Sequence, residues 1–448
     1  MSPNRDQPSP WFAWRMAVFF GALFLIYGVH ISYFPVWLSW RGLSPQEISI
    51  ITALPIFIRV ALTPAAGAYA DAHGNHREVI IALSVAAAAL VLAMAPLTSF
   101  WALLFAAVPY SIAISTMMPL TETIAVAGVR SAGHDYGRMR LWGSLTFLVA
   151  TLACGLLTDL HGTAITVWLL LAATLATAGV SLVLPKPAAV PARAFASEVD
   201  TGSREENATK QRPRALLRFR RIGKRSRIDA TAPPRSQSGL LRALLMQPVF
   251  LVFLLAVGAI LCSHAAFYTF GALHLKGRGI SGQQFGILWA VSIAAEIAVL
   301  AYSARVMAWR GPLELIMFAG VAGVVRWGAM SLDPPFEVLL ILQALHGATY
   351  GAAHLGAIHF IARAVPGPGA GTAQALYSSI SNGLFTALST LVAGHVYPAL
   401  AGRTFLVMAA LCGLGVVGGI WLTKTWNGGA VFGDSEDATP TMPPEVGL

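Results

Sequence analysis

Long apolar stretches, separated by short polar segments, cover most of the chain. An α-helix rises about 1.5 Å per residue, so roughly 20 apolar residues cross the hydrocarbon layer of a bilayer. Six such stretches precede residue 185 and six follow residue 247. They cover residues 16–38, 46–70, 78–97, 100–127, 139–158, 163–184, 248–273, 282–304, 312–331, 336–362, 372–396 and 401–423. The pattern predicts an all-α integral membrane protein with twelve transmembrane helices.

The two sets of six stretches resemble each other in sequence. Residues 41–59 (RGLSPQEISIITALPIFIR) align with 278–296 (RGISGQQFGILWAVSIAAE) at an offset of 237 residues. Both copies begin with a helix-capping pattern, which starts at Ser44 and at Ser281. A duplicated unit is typical of transporters whose substrate site lies between two pseudo-symmetric bundles. The predicted divisions are an N-terminal six-helix bundle, 1–184, a linker, 185–247, a C-terminal six-helix bundle, 248–426, and a tail, 427–448.

Composition and charge agree with a membrane protein. The chain is 56% hydrophobic and 11% charged, whereas soluble domains carry roughly a quarter charged residues. Its net charge of +10 could indicate nucleic-acid binding, but the basic residues follow the topology. With the N-terminus inside, 24 of the 30 Lys and Arg residues lie on the inner side and four on the outer side. The positive-inside rule then predicts both termini in the cytoplasm and a multi-pass protein of a bacterial-type inner membrane.

The predicted linker, 185–247, holds 14 of these basic residues and is rich in Pro, Ser and Arg. It lacks apolar periodicity and aromatic stacking residues, so we expect a disordered basic tether that rests on anionic lipid and does not bind nucleic acid. The stretch that begins near residue 16 has no small-residue cleavage site and is interpreted as an uncleaved anchor.

Other functional classes find little support in the sequence. Cys154, Cys262 and Cys412 lie in apolar stretches, are too scattered for a disulfide framework and are expected to be packing residues. We find no Ser/His/Asp pattern and no phosphate-binding loop, so neither an enzyme nor a bound cofactor is predicted. A receptor that senses a ligand without moving it remains an alternative to a transporter.

Two charged residues interrupt the apolar stretches at equivalent positions of the repeat. Arg59 lies about 12 residues into the second stretch, roughly 18 Å from its outer end, and shares a helix face with Thr52 and Thr63. Glu296 lies at the matching position of the eighth stretch. A charge near the bilayer centre costs about 2.5 to 3.5 kcal/mol, so each needs a partner or a function. A structural ion pair and a role in substrate or proton coupling both stay open.

Histidines are concentrated in the tenth stretch, which contains His346, His354 and His359. His30 and His264 lie in the first and seventh stretches. Histidine titrates near neutral pH, which suits a proton relay, and it can also bind metal. No HExxH spacing is present, so no metal site is predicted. For each histidine, a hydrogen-bonded interior residue and a functional residue remain alternatives.

The loop between the second and third stretches resembles a motif of the major facilitator superfamily. The segment GAYADAHGNHR follows that superfamily's pattern of glycine, aspartate, glycine and arginine with Gly67, Asp71, Gly74 and Arg77. The resemblance implies a cytoplasmic gate in which Asp71 and Arg77 latch the inner face in one state. It also implies the superfamily's fold of two pseudo-symmetric six-helix bundles.

Further segments extend the resemblance over essentially all twelve stretches, although not over the linker or the tail. Within the superfamily, the chain is similar to the branch of the phenylpropionate and lactose permeases. The segments that carry this similarity are ALPIFIRV (53–60), YGRMRLWGS (136–144), LWAVSIAAE (288–296), VVRWG (324–328) and HGATYGAAH (346–354).

This resemblance implies that Glu122 and Arg140 bind substrate. In lactose permease-like proteins, a carboxylate of the fourth helix faces an arginine of a G-R-x-R motif at the start of the fifth. A guanidinium offers a planar fork to a carboxylate or to vicinal hydroxyls, and Trp142 can stack on a ring. A salt bridge that only holds two helices together is the alternative.

The resemblance further implies proton coupling through Glu296, Arg326 and His346, with His354 as an additional candidate. The chain departs from lactose permease at one position. Where that protein has its proton-bearing carboxylate, three residues after the histidine, this chain has Thr349. Glu296 or a histidine is therefore left as the proton carrier.

The sequence predicts a proton-coupled transporter that imports a small organic solute by alternating access. An aromatic carboxylate such as a phenylpropionate is the first expectation, because Arg59 and Arg140 can hold an anion and His30 and His264 can add contacts. An oligosaccharide or nucleoside symporter and an efflux pump are the alternatives. The expected partners are the substrate, protons and the lipid bilayer, and the expected state is a monomer without a cofactor or metal.

Overall fold

The computed structural model describes residues 11–132, 135–185 and 237–432. Within these ranges the chain forms helices and short connections, and no strand is present. The helices of the first half are α1 Phe12–Trp40, α2 Pro45–His73, α3 His76–Met94, α4 Phe100–Ala132, α5 Tyr136–His161 and α6 Ile165–Ser181.

The second half repeats this arrangement. Its helices are α7 Pro248–Gly277, α8 Gly282–Ala301, α9 Pro312–Met330, α10 Phe336–Ala364, α11 370–400 and α12 Thr404–Thr425. By length and composition, ten helical stretches of the described residues can cross a membrane. One of them, Ala370–Thr425, contains both α11 and α12, and α6 is shorter at 17 residues. Each predicted apolar stretch is therefore helical.

The two halves start their repeated segments in the same way. The Ser44 side chain accepts from the Glu47 amide, and Glu47 accepts from the Ser44 amide at 2.8 Å. Ser281 and Gln284 form the same reciprocal pair at the start of α8, with distances of 3.1 and 2.9 Å. These capping boxes satisfy amides that a helix start leaves without intrahelical partners. The repeat in the sequence is thus also a repeat in local structure.

Three helices of the second half contain a π-helical segment within the described residues. The segments are Phe267–Gly271 in α7, Gly347–Gly351 in α10 and Tyr377–Leu384 in α11. A π segment adds a residue to a turn and redirects the side chains around it, and it often marks a functional position. Thr349 and Tyr350 lie in the segment of α10, which His346 directly precedes, and Tyr377 begins the segment of α11.

The hydrogen bonds seen between the two bundles lie at one end of the molecule. Tyr33 of α1 donates to the Gly282 carbonyl at 2.8 Å. The Asp159 carboxylate accepts from the amides of Gly282 and Gln283 at 2.7 and 2.8 Å. Gly155 allows the close approach of α5 and α8, because a Cβ there would lie 2.3 Å from the Gly282 carbonyl oxygen. We call this the closed end.

The segments around the second bundle differ in part from the prediction. Residues Gln237–Met246, at the end of the predicted disordered linker, form a helix in which Leu244 is fully buried. Four leucines in GLLRALLM give this segment an apolar face, which the prediction overlooked. The tail begins packed on the bundle, since the Val431 amide donates to the Ala364 carbonyl at 2.8 Å. The remainder of the linker, 186–236, and of the tail, 433–448, lies outside the described residues.

Candidate functional site

A fully buried arginine lies at the centre of the second bundle. Arg326 of α9 has no exposed surface and donates to Gln343 at 2.6 Å, to Thr349 at 3.0 Å and to His346 Nδ1 at 3.2 Å. Its guanidinium also lies 4.4 Å from the Trp327 ring. All three acceptors are neutral, so the charge of Arg326 is dispersed over hydrogen bonds and an aromatic face and does not meet a carboxylate directly.

His346 connects this arginine to Glu296. An arginine can only donate, so His346 Nδ1 is the acceptor and its proton lies on Nε2. His346 Nε2 lies 3.3 Å from a Glu296 carboxylate oxygen. The Glu296 side chain is 26% exposed, whereas that of His346 is 3% exposed. Arg326, His346 and Glu296 therefore form a continuous chain from the buried bundle core to an accessible carboxylate.

His264 and Thr349 complete the network. His264 Nδ1 lies 3.1 Å from the Leu261 carbonyl, and its Nε2 lies 3.0 Å from the Thr349 hydroxyl. This geometry places the His264 proton on Nδ1 and lets Thr349 donate to Nε2 while it accepts from Arg326. His264 is completely buried. Its position fits a structural role in this network better than the predicted contact with substrate.

Aromatic rings extend from His346 along one face of α10. The rings of His346 and Tyr350 are stacked with centroids 5.4 Å apart, and those of Tyr350 and His354 are stacked at 6.4 Å. His354 Nδ1 forms a 2.7 Å hydrogen bond with the Tyr377 hydroxyl. His346, Tyr350 and His354 therefore form a row on α10 in which the Tyr350 ring lies between the two histidines. Tyr350 and Tyr377 are not among the predicted proton-coupling residues.

The first bundle contributes a second polar group near the end opposite the closed end. The Tyr136 hydroxyl donates to Glu122 at 3.1 Å and lies next to Arg140. The Arg140 guanidinium stands 4.0 Å above the Phe24 ring and 5.8 Å from Phe20. Glu122 and Arg140 do not form a direct ion pair within 4.0 Å in this structure. The two predicted substrate residues lie in one region, but a tyrosine stands between them.

Arg59 and His30 lie deeper in the first bundle. Arg59 is the central residue of α2, a helix of 29 residues, and is partly buried. Among the described residues it has no hydrogen-bond or ion-pair partner. His30 stacks on Phe34 at 4.8 Å and meets the Tyr110 ring edge at 5.4 Å, and its buried Nδ1 has no hydrogen-bond partner.

Trp142, the remaining predicted substrate residue, lies in an apolar setting on the surface of the first bundle. Its side chain is 48% exposed and lines an apolar surface groove of about 320 Å³ together with Trp14 and Val180. A larger apolar groove of about 460 Å³ lies on the outside of the second bundle, between α7, α11 and α12. Neither groove contains the charged residues described above. Both belong to the surface that a lipid-embedded protein presents to acyl chains.

The predicted cytoplasmic gate residues lie together at the end opposite the closed end. Gly74 ends α2 in the left-handed conformation with φ of 62°, which favours glycine. Asp71 pairs with His76 at 2.8 Å, and Arg77 donates to the Leu182 carbonyl. Gly67 has open space next to its Cα. In this conformation, Asp71 and Arg77 therefore use other partners and do not latch the two bundles.

No cluster of three or more His, Cys, Asp or Glu side chains in the described ranges could hold a metal ion.

Two related six-helix bundles with buried charged side chains are the architecture of membrane transporters that are built from an internal repeat. The family described as "MFS_1 like family" matches residues 13–407, and the chain belongs to this family of major facilitator transporters. The predicted fold class is confirmed, and the protein is a transporter and not an enzyme.

Two similar proteins are described as transporters of different solutes. The chain is 27% identical over 401 residues to the probable 3-phenylpropionic acid transporter of Escherichia coli (strain K12), which covers 88% of this chain and 93% of that protein. It is 28% identical over 388 residues to the maltose permease of Geobacillus stearothermophilus, with 86% of each chain covered.

Solved structures show the same fold at lower identity. The crystal structure of the nucleoside transporter NupG matches with a TM-score of 0.73 at 15% identity, over 92% of this chain and 99% of that one. A D-xylose-proton symporter matches with a TM-score of 0.61 at 12% identity, over 94% of this chain and 98% of that one. These structural similarities show the fold, and the family match establishes a multi-pass major facilitator transporter.

Proposed function

We propose that the protein imports a small aromatic carboxylate, such as 3-phenylpropionate, together with a proton. The observation that carries this proposal is the excess of positive charge among the charged residues of the candidate site. Three arginines, Arg59, Arg140 and Arg326, accompany two carboxylates, Glu122 and Glu296. Charge in a membrane interior is costly, so a bound monoanion would be favoured there. The phenyl rings of Phe20 and Phe24 beside Arg140 offer apolar surface for an aromatic ring.

Glu296 is the proposed proton carrier. Glu296 is the accessible end of the series of side-chain contacts that starts at Arg326 and passes through His346. The Nε2 proton of His346 stabilises the ionised form of Glu296. Proton binding neutralises Glu296 and raises the positive excess, which favours binding of an anion. Release of both ligands restores the Glu296–His346 pair. Proton and substrate binding are then coupled, because protonated Glu296 favours binding of the anion and a bound anion favours protonation of Glu296.

The proposed orientation places the closed end outside. The positive-inside rule gives this direction, because the basic residues are concentrated at the opposite end and in the linker. The conformation described here would then be inward-facing, with both termini in the cytoplasm of a bacterial-type inner membrane. We expect the monomer to be the transporting unit.

Uptake of an oligosaccharide or nucleoside is the second candidate. A carboxylate and a guanidinium linked by a tyrosine hydroxyl, as at Glu122, Tyr136 and Arg140, also suit a substrate rich in hydroxyls. The similarity to a maltose permease supports this alternative.

The test is uptake into proteoliposomes under an imposed inward proton gradient. Radiolabelled 3-phenylpropionate, maltose and uridine are assayed in parallel with wild-type protein and Glu296→Gln. We expect the gradient to drive accumulation of the acid by the wild type, and we expect Glu296→Gln to lose accumulation while it still exchanges labelled for unlabelled acid.

Accumulation of maltose or uridine in place of the acid would establish the second candidate. Loss of preloaded acid from the vesicles against its gradient would indicate efflux. Full accumulation by Glu296→Gln would contradict the role of Glu296 as the proton carrier.

A further inference from the structure

The three arginines of the candidate site differ in how their charge is compensated. Arg326 has three hydrogen-bond acceptors and, through His346, the Glu296 carboxylate. Arg140 lies beside Tyr136, which is itself bonded to Glu122, and over the Phe24 ring. Arg59 has neither an acceptor nor a carboxylate among the described residues. Its guanidinium is therefore the least compensated charge of the three.

Tyr27 of the first bundle and Tyr350 of the second lie within electrostatic range of the Arg59 guanidinium. No ion pair seen among the described residues includes Arg59. The Tyr27 hydroxyl already donates to the Ile114 carbonyl at 2.8 Å. The guanidinium nitrogens of Arg59, unlike Nε of Arg326, retain accessible surface. A partly buried arginine that is accessible and lacks an anion is suited to bind a carboxylate in a bidentate manner.

We propose that Arg59 binds the carboxylate of the substrate, with the Tyr350 hydroxyl as a second donor from the opposite bundle. This inference rests on the proposed function and assigns the carboxylate and the ring to separate places. Arg140, stacked on Phe24, then contacts the aromatic ring and does not hold the charge. Because Arg59 and Tyr350 belong to different bundles, a carboxylate between them links the two bundles. Substrate binding would thereby favour their closure at the end opposite the closed end.

The experiment measures binding of an acid and of its neutral isostere. Purified full-length protein in detergent is titrated by calorimetry with 3-phenylpropionate and with 3-phenylpropanamide. The variants are Arg59→Gln, Arg59→Lys, Tyr350→Phe and, as the matched control, Arg140→Gln.

We expect Arg59→Gln to weaken binding of the acid about 30-fold or more while binding of the amide changes little, because an anion loses its cationic partner. Tyr350→Phe should weaken binding of the acid about tenfold through loss of one charge-assisted hydrogen bond. Arg140→Gln should weaken binding of the acid and the amide alike, by about tenfold or less, since it removes a stacking contact.

The outcomes separate this inference from the function on which it rests. If wild-type protein neither binds nor accumulates the acid, both fail. If the wild type transports the acid and Arg59→Gln binds it with unchanged affinity, the role of Arg59 alone is wrong. The role of Arg59 is also wrong if Arg140→Gln, and not Arg59→Gln, loses discrimination between acid and amide. If Arg59→Gln loses both ligands, Arg59→Lys decides: selective recovery of the acid supports the inference, and equal loss of both ligands contradicts it.

Discussion

At the scale of single residues, Thr349 replaces the carboxylate that the resemblance to lactose permease leads one to expect. Its hydroxyl accepts from Arg326 at 3.0 Å and lies 3.0 Å from His264 Nε2. A carboxylate there would neutralise Arg326 directly. With threonine, the nearest carboxylate that Arg326 reaches is Glu296, through His346. The substitution therefore leaves Glu296 as the acidic group of this network.

We expect Thr349→Val to destabilise the protein by about 1 to 3 kcal/mol, because it leaves buried donors and acceptors of Arg326 and His264 without a partner. Thr349→Ser keeps the hydroxyl and is the matched control. Thermal unfolding in detergent, followed by the loss of helical circular dichroism, measures the difference. Equal melting temperatures for the two variants would show that the hydroxyl contributes nothing to the network.

The residue types of the site could be predicted from the sequence, but their contacts only in part. Arg326, His346 and Glu296 were grouped by resemblance, and the structure joins them. Arg140 and Trp142 are both predicted to contact substrate, although residues two positions apart on a helix point roughly 200° apart. Trp142 accordingly lies on the outer surface, while Arg140 lies over Phe24. Helix geometry alone predicts that Arg140 and Trp142 point in different directions. It does not predict the tyrosine between Glu122 and Arg140, because its placement depends on how α4 and α5 pack.

At the scale of elements, the π segment of α10 sets the distance between α10 and α8. It begins at Gly347, where a Cβ would lie 2.5 Å from the Ala295 carbonyl oxygen. It ends at Gly351, where a Cβ would make an ordinary contact of 3.4 Å with Val299. The two glycines of one segment therefore differ in how closely the neighbouring backbone approaches.

Gly347→Ala should push α10 away from α8 and lengthen the contact between His346 and Glu296. We expect a loss of stability of about 1 to 3 kcal/mol from overpacking, together with reduced proton-driven accumulation. Gly351→Ala, at the other end of the segment, should keep both properties. Melting temperatures and proteoliposome uptake of the two variants provide the comparison, and identical behaviour would contradict the role assigned to Gly347.

Hydropathy predicted the helices well, because length and apolar composition determine which segments can cross a bilayer. It could not predict the π segments, since one additional residue in a turn leaves no clear signature in an all-apolar pattern. The helix Gln237–Met246 was missed for a different reason. Its four leucines are locally apolar, but the basic composition of the preceding linker dominated the interpretation.

At the scale of the whole molecule, the closed end is held by contacts between polar side chains and helix termini. Asp159 accepts from the first amides of α8, where the helix dipole favours a negative charge. Lys276 adds a 2.7 Å hydrogen bond to Thr163 across the same interface. The predicted gate residues at the other end, Asp71 and Arg77, have partners within their own bundle. The sequence motif predicts which residues form that gate, but a sequence cannot indicate which end is closed in a given conformation.

The closed end makes Asp159 a determinant of the conformational equilibrium. Asp159 is exposed, and an exposed carboxylate at a helix N-terminus contributes about 0.3 to 1 kcal/mol. Removing it with Asp159→Ala should shift the balance about two- to fivefold toward the conformation in which this end opens. Glu337→Ala removes an exposed carboxylate near the same end and is the control.

Spin labels on either side of the interface, one after α1 and one after α7, report the opening as a longer distance in pulsed electron resonance. We expect a larger long-distance population in Asp159→Ala than in the wild type or in Glu337→Ala. Asp159 stabilises only the state in which α5 contacts α8, so its loss destabilises the conformation in which this end is closed. An unchanged distance distribution would mean that the close backbone contact between Gly155 and Gly282 is sufficient to hold the end closed.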